Sequence, residues 1–277
     1  MDLIRTFKEF NSKESLAEKV RNTIRELAIF ALSQRSSVAA STNWIRFPYY
    51  HHVFDDERKN FERQLKFLRN FGEFISMDDV CTMMKDTAAI DGRYFCVSFD
   101  DGYRCLHNNM MPITAAMNIP VIIYLPTIYT GLNETNEEDL VLIKNNLPGN
   151  SKLLSFLSWE QCREMLDHQI SFGSHTKTHA NLAGLSPAQI ESELLESKLI
   201  IEENLQQSCT HFACPWGRVH INFDPAITTP IAQKLGYQTF CTTDRGKTQK
   251  GDDLFRIKRD HLLAHWGNYQ LNYFFSK

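Results

Sequence analysis

The chain has 277 residues, 43% of them hydrophobic and 19 of them phenylalanine, enough to bury a large core. Its net charge is −3 and no strongly basic stretch occurs, which argues against a nucleic-acid or polyanion partner. The length exceeds that of a usual domain, but single-domain α/β barrels reach it.

The first forty residues read as a separate helical extension. Leu16, Val20, Ile24, Leu27 and Ala31 recur at helical spacing, with Asn11 or Ser12 as candidate caps. The polar face mixes Lys, Arg and Glu, a weak lipid-binding pattern. The stripe is therefore expected to pack on the rest of the chain or on a second copy, which leaves a homo-oligomer through this helix open. Ser33 to Thr42 is polar and small and reads as a linker. The longest apolar run here, Leu27 to Leu32, is too short for a signal peptide core or a membrane span. The cysteines, Cys81, Cys96, Cys105, Cys162, Cys209, Cys214 and Cys241, are odd in number and none has CxxC spacing. Several sit in apolar runs, as reduced buried thiols do. Both features point to the cytoplasm.

From residue 41 to 277, short apolar runs alternate with amphipathic stretches. Phe47 to Tyr50, Glu73 to Ser76, Tyr94 to Phe99, Ile119 to Leu125, Gln169 to Phe172, Thr210 to Cys214, Tyr237 to Thr242 and Phe255 to Lys258 read as strands. Helix starts are marked by Ser158 with Gln161, by Ser186, Pro187 and Gln189, and more weakly by Ser76 with Asp79. Gly72 and Gly236 fit helix stops. Repeated β–α alternation predicts a parallel sheet in an α/β fold, and this many strands favours a distorted or incomplete barrel. The polar stretch Thr130 to Lys152 reads as a long loop with a short helix beside the pocket.

Three strand ends carry chemistry. Tyr94 to Phe99 stops at Asp100, Asp101 and Gly102, where parallel α/β folds place active sites. Two adjacent carboxylates there invite a division between metal binding and proton transfer. Next, Ile170 to Ser174 leads into His175 and His179. Histidines four apart can meet one cation, and two imidazoles plus one carboxylate leave positions open for water and substrate. Third, Cys214-Pro215-Trp216-Gly217 follows a strand-like run and can aim a backbone N–H at a developing oxyanion.

Together these strings resemble the polysaccharide deacetylases of the NodB-homology type, over about residues 45 to 260. The first family motif corresponds to Phe99 to Gly102, the second to Ser174 to His179 and the third to Pro215 to Gly217. Tyr50-His51-His52-Val53 resembles the YHxV string of a branch that includes poly-N-acetylglucosamine deacetylases. Phe61 to Leu68 with Gly72, Ser158 to Gln161, and Gly236 to Arg245 resemble further family segments.

The resemblance implies a NodB-type barrel and a metal-dependent hydrolase that removes an N-acyl group, acetyl above all, from an amino sugar. It implies a divalent ion on Asp101, His175 and His179: Zn²⁺ suits these donors, and Co²⁺, Ni²⁺, Mn²⁺ or Fe²⁺ fit the same set. Asp100 would be the base, the Trp216 N–H an oxyanion donor and His51 the acid, with Tyr103, Pro215 and Trp216 against the substrate. His261 and His265 are alternative acids. Where many relatives carry a third-motif arginine, this chain has Ala213; Arg218, Arg256 and Arg259 are candidates to orient Asp100 instead. The expected substrate is a polysaccharide or a glycan precursor. N-formyl sugars and small cyclic amides are the alternatives within the fold. Outside amide hydrolysis stand an iron oxygenase and a non-catalytic sugar-binding module.

Overall fold

A computed structural model of the chain describes residues 3–11, 15–85, 90–132, 136, 138–139, 141 and 154–277. The short helix expected within Thr130 to Lys152 lies largely outside them.

The strands alternate with helices as the sequence pattern demands. The first are β1 (Trp44–Arg46) and β2 (Pro48–Tyr50), followed by helix α3 (Arg58–Arg69), β3 (Glu73–Phe74) and α4 (Met77–Lys85). Then come β4 (Arg93–Phe95), β5 (Val97–Phe99), α5 (Met111–Ala116) and β6 (Val121–Leu125). Helix α6 (Trp159–Leu166) leads to β7 (Ile170–Ser174), and α7 (Pro187–Leu205) to β8 (His211–Ala213). The rest is α8 (Pro225–Lys234), β9 (Thr239–Cys241), β10 (Asp260–His261) and α9 (Asn268–Phe275).

Seven strands form one parallel sheet in the order β10-β2-β5-β6-β7-β8-β9, and β1-β4-β3 form a smaller parallel sheet below it. The expected strand Tyr94 to Phe99 is thus two strands broken at Cys96. Its first half pairs with β3 and its second half with β6, so the chain leaves one neighbour for another partway along. The expected strand Phe255 to Lys258 is corrected as well. Leu254–Arg256 is a 3₁₀ turn capped by Asp253, and only Ile257 pairs, through a single parallel bridge to Cys241. The chain then crosses to β2 as β10, so residues 257 to 261 join the two edges of the curled sheet. A sheet curled in this way leaves few open edges.

Side chains alternate across the strands. Phe47, Ile122, Tyr124, Ala213 and Cys241 pack together in the barrel interior. Tyr50, Val97, Phe99, Ile123, Leu125, Phe212 and Phe240 face outward and pack with Phe61, Leu65, Leu194 and Ile201 of the helices. This alternation turns Asp100, in step with Ser98, into the barrel mouth. It does the same for His51, in step with Phe47 and Tyr49.

The capping boxes expected at Ser158 and Ser186 form, each with a reciprocal glutamine. Ser76 and Asp79 exchange hydrogen bonds in the same way. Gly236, at φ +82°, ends α8 as expected. Gly72 follows α3 for a different reason: a Cβ there would strike the Arg93 carbonyl.

The N-terminal extension departs from expectation in three ways. Its long helix, α2 (Leu16–Ser33), is capped by Ser15 in a box with Glu18 and not by Asn11, while Ser12 lies outside the described residues. Among the described side chains of α2, Ile29 and Ser33 are buried, and the helix packs against α9. The predicted stripe through Val20, Ile24 and Leu27 is exposed instead. The expected linker is docked: Val38 is buried, and the Asn272 side chain donates to the carbonyls of Ser33 and Ser36. Upstream, α1 (Phe7–Phe10) receives both carboxylate oxygens of Asp56 at its first amides. Among the described residues no helix is long and apolar enough to cross a membrane.

Candidate active site

The loops after β2, β5, β7, β8 and β9 meet at one end of the curled sheet around a cleft of about 670 Å³. Its walls include Tyr49, His51, Asp100, Asp101, Tyr103, Tyr129, Phe156, His175, His179, Trp216 and Thr243. Several of these residues hold backbones that L side chains avoid: φ is +69° at Asp101, +60° at His179 and +62° at Trp216, with Thr176 at +64° between the histidines. Each left-handed residue costs about 1–2 kcal/mol, and such strain collects at functional sites.

Asp101, His175 and His179 converge. The Asp101 Oδ1 atom lies 3.6 Å from His175 Nε2 and 3.3 Å from His179 Nε2, and one ligand atom from each residue falls within 4.8 Å of the others. Ligands at about 2.0–2.2 Å from a tetrahedral cation stand about 3.3–3.6 Å apart, so these spacings fit one ion. The chemistry of the donors fits as well. His175 Nδ1 donates to the Ala213 carbonyl at 2.7 Å, which fixes the tautomer that leaves Nε2 as the acceptor facing the cleft. Burial lowers the His175 pKa to about 4, against the pull of Asp100, and keeps the ring neutral. Asp101 Oδ1 is buried with no well-aligned hydrogen-bond donor, and although burial opposes it, the surrounding histidines hold Asp101 below its ordinary value. The His179 loop is braced from α7, where Glu193 accepts from the Thr178 amide at 2.8 Å and the Thr178 hydroxyl at 2.7 Å.

Asp100 is spent differently. Arg259 grips it with both ends of its guanidinium, Nη1 to Oδ1 at 2.7 Å and Nη2 to Oδ2 at 2.8 Å. The guanidinium is wholly buried, donates through Nε to the Thr242 carbonyl at 3.0 Å and lies 4.2 Å over the Tyr49 ring. Burial would raise the Asp100 pKa, but Arg259, with His175 behind it, keeps it below the ordinary value. Of the three arginines considered to orient Asp100, Arg259 alone reaches it; Arg218 and Arg256 are exposed. The closure segment 257–261 carries Arg259 into the interior.

The third-motif turn puts Trp216 over His179, ring centres 5.5 Å apart, with the indole 52% exposed. Its carbonyl accepts from Thr243 Oγ1. Gly217 is required beneath it: φ is +58° and a Cβ would come within 2.9 Å of Thr243 N. Among the described residues nothing accepts from the Trp216 N–H. Pro215 is buried and lies off the cleft wall, so it shapes the turn.

His51 and His52 point apart. The His51 ring lines the cleft and meets His261 edge-on at 5.0 Å. His52 instead stacks on Phe54 at 4.9 Å and Tyr103 at 4.2 Å. His261 backs His51 from a smaller cavity, and burial lowers its pKa to about 3. His265 pairs with Glu57 at 3.0 Å under Phe7, away from the cleft. Tyr103 lies on the wall, stacked on Phe156. Sequence reasoning missed Tyr49, Tyr129, Phe156 and Thr243. Tyr49 had a signal, since it stands two residues before His51 on the same strand face; Phe156 lies beyond the long loop with none.

The chain is 25% identical over 203 residues to the protein YxkH of Bacillus subtilis (strain 168), a match covering 73% of this chain and 63% of that one. Solved structures with the same fold include the Streptococcus pyogenes deacetylase PplD in complex with acetate: TM-score 0.65, 21% identity, covering 86% of this chain and 99% of that one. IcaB from Ammonifex degensii gives a TM-score of 0.67 at 19% identity, over 85% of this chain and 98% of that one. The BpsB deacetylase domain from Bordetella bronchiseptica gives 0.63 at 18%, over 79% and 96%. The sequence model of the polysaccharide deacetylase family matches residues 89–240, which contain Asp100, Asp101, both cleft histidines and the Trp216 turn. This chain belongs to the polysaccharide deacetylase family.

Proposed function

We propose that the chain hydrolyses the N-acyl group, acetyl first, of an amino sugar in a glycan, with Asp101, His175 and His179 as ligands of a divalent cation. The observation that carries this reading is the pairing of two unlike carboxylates. One faces two imidazole nitrogens at 3.3 and 3.6 Å, while its neighbour is held ionised by a buried arginine. An oxygenase using two histidines and one carboxylate would have no task for Asp100.

A cation on these three side chains, Zn²⁺ by donor type, would polarise the acyl carbonyl and acidify a water. The chain supplies the rest. Asp100 accepts the proton of the attacking water, its free lone pairs aimed into the cleft by the Arg259 fork. The Trp216 N–H donates to the oxyanion as the carbonyl becomes tetrahedral. His51 gives a proton to the nitrogen as the C–N bond breaks, because an amide anion is too basic to leave unprotonated. Products are a free amine and a carboxylic acid. Trp216, whose indole is 52% exposed, offers an aromatic face on which a sugar ring can lie, while Tyr103, Tyr129 and Phe156 stack on one another and form the opposite wall.

Seven free cysteines, six of them buried, support a reducing compartment and so an intracellular glycan precursor. The test is a panel of N-acetyl and N-formyl amino sugars, offered free, nucleotide-linked, lipid-linked and polymeric to the zinc-loaded protein. Amine and acid should appear in equal amounts from N-acetyl sugars. Sugar binding without release of either would turn the reading toward a non-catalytic module.

A further inference from the structure

Helix α2 carries a second pattern beneath its helical stripe. Ala17, Val20, Ile24, Leu27 and Ala31 are spaced three, four, three and four residues apart. That is the 3.5-residue repeat of a coiled-coil seam, which keeps one narrow line of side chains facing a partner helix. In the structure this line is turned away from the barrel. Ile29 and Ser33, on the other side, make the buried contact with the body, and Glu26 there accepts from the Tyr269 hydroxyl and the Gln270 amide. Val20, Ile24 and Leu27 are 54%, 63% and 65% exposed, and Phe30 beside them is 51% exposed with its ring edge-on to Tyr269. These four side chains present about 400 Å² of apolar surface, within the range of the largest patch on a typical monomer.

We propose that this seam is the interface of a homodimer, with α2 of one copy lying antiparallel on α2 of a second copy. Three features favour that occupant. First, size matches across the dyad: centred between Ile24 and Leu27, it sets Ile24 on Leu27 and Val20 on the small Ala31. Second, charge permits it. Arg21 is the one charged residue flanking the line within the helix, and its counterpart across the dyad is Ala28, so no like charges meet. A membrane-surface helix wants a Lys/Arg-rich polar face, whereas Glu18, Lys19, Arg21, Arg25 and Glu26 balance both signs. Third, the area suits a dimer of modest strength: the patch is about half of the about 800 Å² per partner that a standard interface buries.

Sedimentation equilibrium of the whole chain between about 1 and 100 μM tests this. The wild type should move from the 32.1 kDa monomer toward twice that mass over this range, as micromolar pairing requires. Val20→Glu/Ile24→Glu/Leu27→Glu should weaken association at least tenfold while circular dichroism keeps the native helix content. Leu27→Asn alone, a milder change at an exposed site, should weaken it in the same direction. A monomer at every concentration would overturn the proposal, as would a dimer that the triple variant leaves intact. So would a monomeric chain that cosediments with phosphatidylcholine–phosphatidylglycerol vesicles through the same three residues, since the face would then belong to a lipid surface.

Discussion

Arg259→Lys is the most informative single change in the proposed machinery. The arginine makes two charge-assisted bonds to Asp100, at 2.7 and 2.8 Å, and a third to the Thr242 carbonyl, all without solvent. Lysine keeps the charge but offers a point donor where a fork is needed. Charged hydrogen bonds contribute about 1.5–3 kcal/mol each, and removing one partner of a buried pair outright costs about 3–5 kcal/mol. Arg259→Lys should therefore lose about 2–3 kcal/mol of stability, and Arg259→Met more. The catalytic effect has a sign as well. Burial pushes the Asp100 pKa up and Arg259 pulls it below normal; with the pull weakened, the carboxylate protonates at higher pH. Because the reaction needs the ionised base, the acid limb of kcat/KM should move to higher pH, and turnover at neutral pH should fall about 10²-fold, the scale of a displaced general base. The assay is fluorescent detection of released amine from N-acetylated chito-oligomers between pH 4 and 9, with bound metal and urea midpoint measured on the same preparations. A folded Arg259→Lys protein with turnover within threefold of wild type and an unmoved acid limb would refute the role given to this arginine.

His51→Ala should cut turnover by about 10²-fold or more with metal retained. His52→Ala and His265→Ala should do less, and collapse in either of these two instead would move the acid there. The metal-stripped chain should lose stability in mild acid. Burial holds His52 and His261 at about 3, against an ordinary 6.5. From pH 6.5 down toward 3 the unfolded chain therefore binds protons that the folded chain refuses, and stability falls as pH falls. Each ring contributes at most the about 1.4 kcal/mol per pH unit that one fully linked proton carries. Urea midpoints at pH 7 and 5 measure this, and His261→Phe should flatten the slope; a steeper one would contradict the assignment.

The motifs were legible because each is local. Asp100 and Asp101 end one apolar run, His175 and His179 follow another, and parallel strands bring such ends together. Alternation along residues 47 to 52 was enough to send His51 and His52 opposite ways. The partner of Asp100 was not legible to one residue, because Arg259 is 159 positions away in sequence. It sits in a segment that pairs by one bridge before crossing the barrel. Hydrophobic runs likewise mark strand material but not where a strand changes neighbours, so the break at Cys96 was invisible. Periodicity found α2 and its stripe, yet the face that meets the body is the one with Glu26, Ile29 and Ser33. There Glu26 is held by hydrogen bonds to α9, which a hydrophobic count overlooks.

In the proposed reaction adjacent carboxylates divide the work, Asp101 holding the cation and Asp100 taking the proton. The direct measurement is metal content and amine release on Asp100→Asn and Asp101→Asn, prepared side by side with wild type. Asp100→Asn should keep one metal per chain and lose turnover by about 10²-fold or more, as expected when a general base becomes an amide, while Asp101→Asn should lose metal and turnover together. Near-normal turnover in Asp100→Asn, or equal metal loss in both variants, would contradict it.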